Sequence, residues 1–385
     1  MVSAKTFCIF SAQFLPHLGG VERYTYNLSK KLIEYGNKVI VVTSNTEGIS
    51  DREDVDGIEV YRMPCFNLLH GRFPVLKLSI KQKKLHKDLM KQDIDYVIIN
   101  TRFYIHSYYG SFLSKKKKIQ PIVIEHGTNH FTVNNKFLDF FGEIYEHFIT
   151  LCIRKSCNNF YGVSKDCSKW LEHFGIHSKG ELYNAVNIDE INSLLENSDT
   201  SLFDENGIEK NSLIITYTGR LVKEKGVEKL IAAFQKVLTN YPTVQLCIAG
   251  DGDLYDSLKA EKNDNIHILG KLSFSQVISL LNKTDIYVLP TDYPEGFPTS
   301  VLEAVACKCF VVTTSAGGSK ELITDERYGI ILKENSIMEL SLQLEKIIQN
   351  PEIRNQAIEN VYHELEKKFT WDITATSVLQ ECKKL

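Results

Sequence analysis

The sequence lacks the features that would place it in a membrane, a secretory route or a disulfide scaffold. No stretch of its 385 residues approaches the roughly 18 consecutive apolar residues of a membrane-spanning helix. The apolar start, Met1 to Phe14, has Gln13 near its end and Pro16 and His17 after it instead of a small-residue cleavage site. It is expected to be a first strand, not a signal peptide. The nine cysteines are scattered, and no pair with zinc-ligand spacing is backed by a second pair. Free, mostly buried thiols in a reducing cytoplasm are therefore expected. Low-complexity tracts and short-period repeats are also missing.

Several chemical signatures are absent too. Gly250-Asp251-Gly252 has no third glycine in place and no clear acidic partner, which argues against a nicotinamide dehydrogenase. There is no P-loop and no H-E-x-x-H pair. Asp251-Gly252-Asp253 is the nearest approach to an Asp-x-Asp metal motif, and it reads as a loop after a strand. No metal ligand set and no nucleic-acid partner are expected.

What is present describes an ordinary globular chain, 43% hydrophobic and 24% charged. Its length favours two domains over one core. The net charge of −3 hides an asymmetry: Gly71–Gln120 holds twelve Lys or Arg against three Asp or Glu. A basic segment in an otherwise acidic chain is either a solvated helix face or a contact for an anionic partner such as a membrane surface. The stretch Phe137, Phe140, Phe141, Ile144, Tyr145, Phe148, Ile149 and Cys152 keeps one broad apolar helix face. A buried core helix is expected there, with a membrane interface beside Lys115–Lys118 as the alternative.

Short β-branched or aromatic runs alternate with helical patterns. Strands are expected at Thr6–Phe10, Lys38–Thr43, Tyr96–Asn100, Pro121–Glu125 and Asn159–Val163, then at Leu213–Thr218, Val244–Ala249, Asn265–Leu269, Asp285–Leu289 and Cys309–Thr313. Val21, Tyr24, Leu28 and Leu32 share one face of a helix ended by Gly36. Alternation of this kind builds parallel sheets covered by helices, and here it occurs twice around the polar stretch Asn187–Asn211. Two closing helices are expected, one stopped near Pro351 and one from Trp371 to Cys382, with no strand between them. Ligands of such sheets bind at the carboxyl ends of the strands.

Two loops stand out at those ends. The first is Gly219-Arg220-Leu221-Val222-Lys223-Glu224-Lys225-Gly226, where Arg220 and Lys225 can grip one diphosphate from two sides without a metal. The second runs through Glu295-Gly296-Phe297-Pro298-Thr299-Ser300 to Glu303. Pro298 suits a first helical position, so the unpaired amides of that turn, around Thr299 and Ser300, favour phosphate, and Gly296 allows close approach. Glu303 can accept hydrogen bonds from the hydroxyls of a ribose, with Glu295 nearer a sugar.

The seven residues between Glu295 and Glu303 resemble the E-x7-E motif of the retaining glycosyltransferases of family 4, which have the GT-B fold. The Gly219-Arg220…Lys225-Gly226 loop looks like that family's diphosphate clamp, and Gly19-Gly20-Val21-Glu22 like its glycine turn. Leu182-Tyr183-Asn184-Ala185-Val186-Asn187-Ile188-Asp189 resembles its Pro-Asn-Gly-Val-Asp linker, with Tyr183 and Ala185 as departures. Gly250-Asp251-Gly252-Asp253 looks like its Gly-Asp-Gly loop, and Gly317-Gly318-Ser319-Lys320-Glu321 like its Gly-Gly-x-x-Glu turn.

The resemblance implies an α/β chain of two Rossmann-like domains facing a central cleft, with C-terminal helices crossing back to the first. The expected domains are residues 1–186 plus 366–385 for the acceptor and 187–365 for the donor. His126 and Glu295 are the implied catalytic pair. Gly19, Gly20, Arg220, Lys225, Gly250, Leu272, Gly296, Phe297, Thr299, Ser300 and Glu303 are the implied substrate-binding residues. The implied reaction is hexosyl transfer with retention from a UDP- or GDP-sugar to a glycan or lipid-linked acceptor. It needs no cofactor, and its place is the cytoplasm or the inner face of the membrane. A nucleotide-sugar epimerase or hydrolase and a non-catalytic binding subunit stay open as alternatives.

Overall fold

The computed structural model describes residues 4–17, 19–69, 71–133, 135–209, 211–261 and 263–385. The chain divides into two units, Met1–Asn184 with Trp371–Leu385, and Ala185–Thr370.

The first unit carries β1 (Thr6–Phe10), α1 (Gly20–Glu34), β2 (Lys38–Ser44), β3 (Arg52–Val55), β4 (Ile58–Met63), β5 (Cys65–Leu68) and β6 (Phe73–Leu76). It continues through α2 (Ile80–Lys91), β7 (Tyr96–Asn100), α3 (Ile105–Lys117), β8 (Ile122–Glu125), α4 (Lys136–Arg154), β9 (Asn159–Gly162) and α5 (Lys165–Glu172). Seven strands form a sheet in the order β3-β4-β2-β1-β7-β8-β9. All its pairs are parallel except β3 with β4. The central strands are buried nearly end to end, as strands covered on both faces must be. Tyr24, Leu28 and Leu32 of α1 are fully buried, as their shared face predicts.

The second unit carries α6 (Ile188–Glu196), α7 (Ser201–Glu205), β10 (Ile214–Thr218), α8 (Val227–Asn240), β11 (Gln245–Ala249), α9 (Tyr255–Ala260), β12 (Ile266–Gly270), α10 (Phe274–Leu281) and β13 (Ile286–Leu289). After these come α11 (Thr299–Ala306), β14 (Phe310–Thr313), α12 (Ser319–Leu322), β15 (Ile330–Ile331), α13 (Ile337–Gln349) and α14 (Pro351–Lys368). Its six-stranded sheet is ordered β12-β11-β10-β13-β14-β15 and is parallel throughout. The chain ends in α15 (Trp371–Cys382), which packs on α1 of the first unit, where Trp371 meets Tyr24 edge to face at 5.1 Å.

Three expectations need correction. Pro351 does not only stop a helix: it opens another, α14, which buries only the narrow stripe Ala357, Val361 and Leu365. A Pro missing its N–H costs nothing at a first helical turn. Pro298 is the residue before α11 instead of its first member. Most of the α4 face expected to be core is exposed, with Phe137, Phe140 and Phe148 at 70, 58 and 64%; of that face Ile149 alone is buried. Its buried stripe is Glu146, Ile149, Thr150 and Ile153.

Candidate functional site

Both sheets reverse their strand order beside the first strand, at β1/β7 and at β10/β13. In open parallel sheets such switch points separate the loops at the strand ends and open a crevice. The loops carrying Gly19, Gly20, Arg220, Lys225 and Glu295–Glu303 start there, while those carrying His126, Gly250 and Leu272 follow the neighbouring strands β8, β11 and β12.

In the second unit, β10 ends at Thr218 and the chain turns through Gly219 and Arg220 into a short 3-10 helix, Lys223–Lys225. Gly226 then takes the left-handed conformation, φ 76°, and opens α8. A Cβ at Gly226 would lie 1.9 Å from the carbonyl oxygen of Pro290, so only glycine lets the two switch-point loops touch. Gly250, φ 155°, is in the same position: its Cβ would fall 1.8 Å from the Gly219 oxygen. Backbone bonds from Gly219 N to Ala249 O (3.0 Å), Leu221 N to Asp251 O (2.8 Å) and Gly250 N to Gly270 O (2.8 Å) knit three strand ends together.

This scaffold brings the charged residues together. Lys225 Nζ forms an ion pair with Glu295 Oε1, both side chains being largely buried. Tyr293 lies under both cations, 4.9 Å from the Arg220 guanidinium and 5.1 Å from Lys225 Nζ. Tyr217 Oη donates to Arg220 O at 2.8 Å and holds the turn. Asp292 is held by Lys229 (2.7 Å) and Asn335 (2.8 Å), so the Thr291–Glu295 segment is anchored from behind. Glu303 is buried on the second turn of α11. Gly296 O accepts from Gly318 N at 3.0 Å, and Phe297 packs edge to face on Phe369 at 5.1 Å. Thr299 and Ser300, half-exposed, form the first turn of α11. Leu272 is half-buried against the apolar cluster that includes Leu202, Phe203 and Leu280, which leaves backbone polar groups as the contacts it can offer. Tyr293, inside the segment the sequence singled out, was the residue missed; its aromatic face beside two cations was the signal.

In the first unit, Gly19 is the N-cap of α1 and Gly20 its first residue. His126 follows β8. Its Nε2 lies 3.0 Å from Asn100 Oδ1, and Tyr24 meets its ring edge on at 4.8 Å. Thr25 Oγ1 donates to Val21 O (2.8 Å), so it accepts from Asn100 Nδ2 (2.8 Å), and Asn100 must turn its oxygen to the histidine. Nε2 therefore carries the hydrogen and Nδ1 keeps a lone pair. Burial holds the His126 pKa down to about 3, so the ring is neutral at working pH.

Behind it lies a buried charge network that the sequence did not reveal. Thr101, a β-branched residue at φ 63°, is a strained junction between Asn100 and Arg102. Arg102 Nη1 is 3.4 Å from Glu125 Oε2 and Nη2 is 3.2 Å from Glu146 Oε2, all three side chains being 1–2% exposed. Glu125 Oε1 accepts from the amides of His126 (3.2 Å) and Gly127 (3.0 Å). Burial raises the Glu146 pKa to about 7 against the opposing pull of Arg102.

The family model Glycosyltransferase Family 4 matches residues 18–190, and Glycosyl transferases group 1 matches 198–364. An uncharacterized glycosyltransferase of Methanocaldococcus jannaschii is 27% identical over 375 residues, covering 94% of each chain. One subunit of the human phosphatidylinositol N-acetylglucosaminyltransferase is 27% identical over 380 residues, covering 94% of this chain and 73% of its own. Among solved structures, sucrose-phosphate synthase from Thermosynechococcus elongatus superposes with TM-score 0.77 at 16% identity, over 99% of this chain and 98% of its own. Anabaena HepE in complex with UDP-glucose gives 0.75 at 17%, over the full length of both.

Proposed function

We propose, from the premise that the chain is a glycosyltransferase of the GT-B type, that it moves a hexosyl unit from a nucleoside-diphosphate sugar to a glycan or lipid-linked acceptor with retention of configuration. The observation that carries this reading is the convergence of Arg220, Lys225, Glu295 and Tyr293 from two switch-point loops beside the start of α11. Arg220, Lys225 and the first amides of α11 hold the diphosphate, and Glu303 accepts from the ribose hydroxyls. The donor diphosphate draws Lys225 away from Glu295, whose carboxylate addresses the sugar. The bond from the anomeric carbon to the phosphate oxygen breaks as the acceptor oxygen bonds to the same face, and the acceptor proton passes to the departing phosphate. His126, neutral, accepts from a sugar hydroxyl through Nδ1. The structural neighbour HepE is a complex with UDP-glucose, which favours UDP over GDP as the carrier.

The cationic clamp makes a divalent metal unnecessary at the diphosphate. Transfer is expected to continue in EDTA. Its full loss, restored by magnesium or manganese, is the opposite result and removes the metal-free clamp.

A lipid-linked acceptor is favoured by the name of the human relative, which joins phosphatidylinositol to an N-acetylglucosaminyl transfer. It is also favoured by the exposed aromatic face of α4, a helix in contact with α3, whose C-terminal end carries the exposed Lys115, Lys116 and Lys118. Lys117 is engaged otherwise, donating to Met90 O and Gln92 O. Among the described residues no helix is long and apolar enough to cross a membrane. The contact proposed is a peripheral one through these two helices, at the cytoplasmic face. Each cation near an anionic surface adds about 1 kcal/mol. In flotation, anionic liposomes should carry the protein at low salt and release it at high salt. A variant with Lys115, Lys116 and Lys118 changed to Ser should bind less. A bound fraction indifferent to lipid charge, salt and substitution makes the run a solvated surface.

A further inference from the structure

We propose that His130, His147 and His173 form a binding site for a borderline transition-metal dication, zinc above all, in the first domain. The three residues come from separate elements: His130 from the loop after β8, His147 from α4 and His173 from the C-cap of α5. One ring nitrogen of each lies within 4.8 Å of the others. His130 Nε2 and His173 Nε2 are 3.2 Å apart. Two imidazoles on a tetrahedral zinc with bonds of about 2.0–2.1 Å have their nitrogens roughly 3.3–3.4 Å apart, so this pair already spans one edge of such a site. A single N–H···N bond would account for those two rings alone; it does not call for the third to converge with them.

The surroundings are those a zinc ligand needs. His130 Nδ1 faces Glu146 Oε2 at 3.1 Å, and the other carboxylate oxygen accepts from Phe131 N at 2.7 Å. A carboxylate behind a ligating histidine orients the ring and raises its basicity. Glu146 is itself held by Arg102, which also reaches Glu125, so the carboxylate behind His130 has a fixed orientation. Trp170 stacks on His173 at 4.7 Å and 5°, which sets the plane of the ring. Phe174 lies against the His130 and His147 rings at 5.7 and 4.7 Å. His147 and His173 are exposed, so an ion has a way in and a water can complete three protein ligands. Nitrogen donors select against magnesium and calcium, which take oxygen. No metal ligands are expected from the sequence because these three stand 17 and 26 residues apart, with no local spacing to betray them.

The ion would tie the loop that begins at His126 to α4 and α5, through both His130 and the Glu146–Arg102–Glu125 network that holds the His126 amide. Its role is structural, independent of the diphosphate chemistry proposed above. The test is calorimetric titration of zinc into the metal-free full chain, with cobalt(II) as a spectroscopic probe. One equivalent is expected to bind in the wild type and in His177→Ala. Binding should be at least tenfold weaker in His147→Ala and His173→Ala, whose rings are exposed and whose folding is checked by circular dichroism in chelator. Glu146→Gln should weaken it about 10- to 100-fold. Cobalt should show four-coordinate visible bands without thiolate charge transfer. No stoichiometric uptake, equal uptake by the histidine variants, or a strong sulfur-to-cobalt band placing the ion on cysteines would each overturn the proposal.

Discussion

Replacing Arg220 or Lys225 by alanine is expected to weaken nucleoside-diphosphate binding by roughly ten- to 150-fold, the equivalent of about 1.5–3 kcal/mol for one charge-assisted contact. Binding of the nucleoside alone should hardly change, because both cations address phosphate. Lys225→Ala should be the more damaging of the two. Lys225 neutralises Glu295 in the free protein, so its removal leaves a largely buried carboxylate beside the incoming anion. Arg220 lies over Tyr293 at 4.9 Å and pairs with no carboxylate among the described residues. Lys225→Arg should recover little, since a planar fork does not replace a point charge in a fixed pair. Calorimetric titration with UDP and with uridine separates the two effects; identical curves for wild type and variants would remove the clamp.

The second large effect belongs to Arg102→Met, expected to cost about 3–5 kcal/mol of stability, because it strips the counter-charge from two buried carboxylates. The loss should depend on pH with a definite sign. Glu146 already titrates at about 7 in the folded protein, above the ordinary carboxylate range of about 4.5, because burial disfavours its charge. A carboxyl whose folded pKa is raised contributes stability below its unfolded pKa and loses it as pH rises through the folded one. Without Arg102 that folded pKa rises further. The deficit of the variant should therefore be small near pH 5 and grow through pH 8. Urea unfolding across this range reads it directly; a variant as stable as wild type at pH 8 would show that the pair holds nothing in place.

The sequence carried the sheets well, because parallel strands buried on both faces leave apolar runs that few other elements imitate. The ten expected strands are all present within one or two residues, from Thr6–Phe10 to Phe310–Thr313. Those missed lie at margins. Charged Arg52–Val55 pairs only at a sheet edge, Cys65–Leu68 and Phe73–Leu76 form a small separate hairpin, and Ile330–Ile331 is two residues long; the exception is Ile58–Met63, a buried six-residue strand between β3 and β2 whose run is broken by Glu59 and Arg62. The apolar periodicity of Phe137–Cys152 was real, yet it could not tell which side of α4 faces the protein. The buried side holds Glu146, whose partners Arg102 and His130 are 44 and 16 residues away. In the same way the Lys225–Glu295 pair, 70 residues apart, exists only because the switch point sets one loop against the other. Individual residues of the candidate site were legible from their motifs. Their pairing was a property of topology.

The most direct measurement of the central claim is thermal unfolding of the full chain against a panel of nucleotide sugars, for the wild type and for the Arg220→Ala, Lys225→Ala double variant. A ligand that binds only the folded state at a hundred times its Kd adds about 2.7 kcal/mol. For units of this size that raises the transition by roughly 5–10 °C. At least one diphosphate sugar is predicted to do so in the wild type, with no divalent metal present, and to have little effect on the double variant. A panel that shifts nothing, or shifts both proteins equally, would contradict the account.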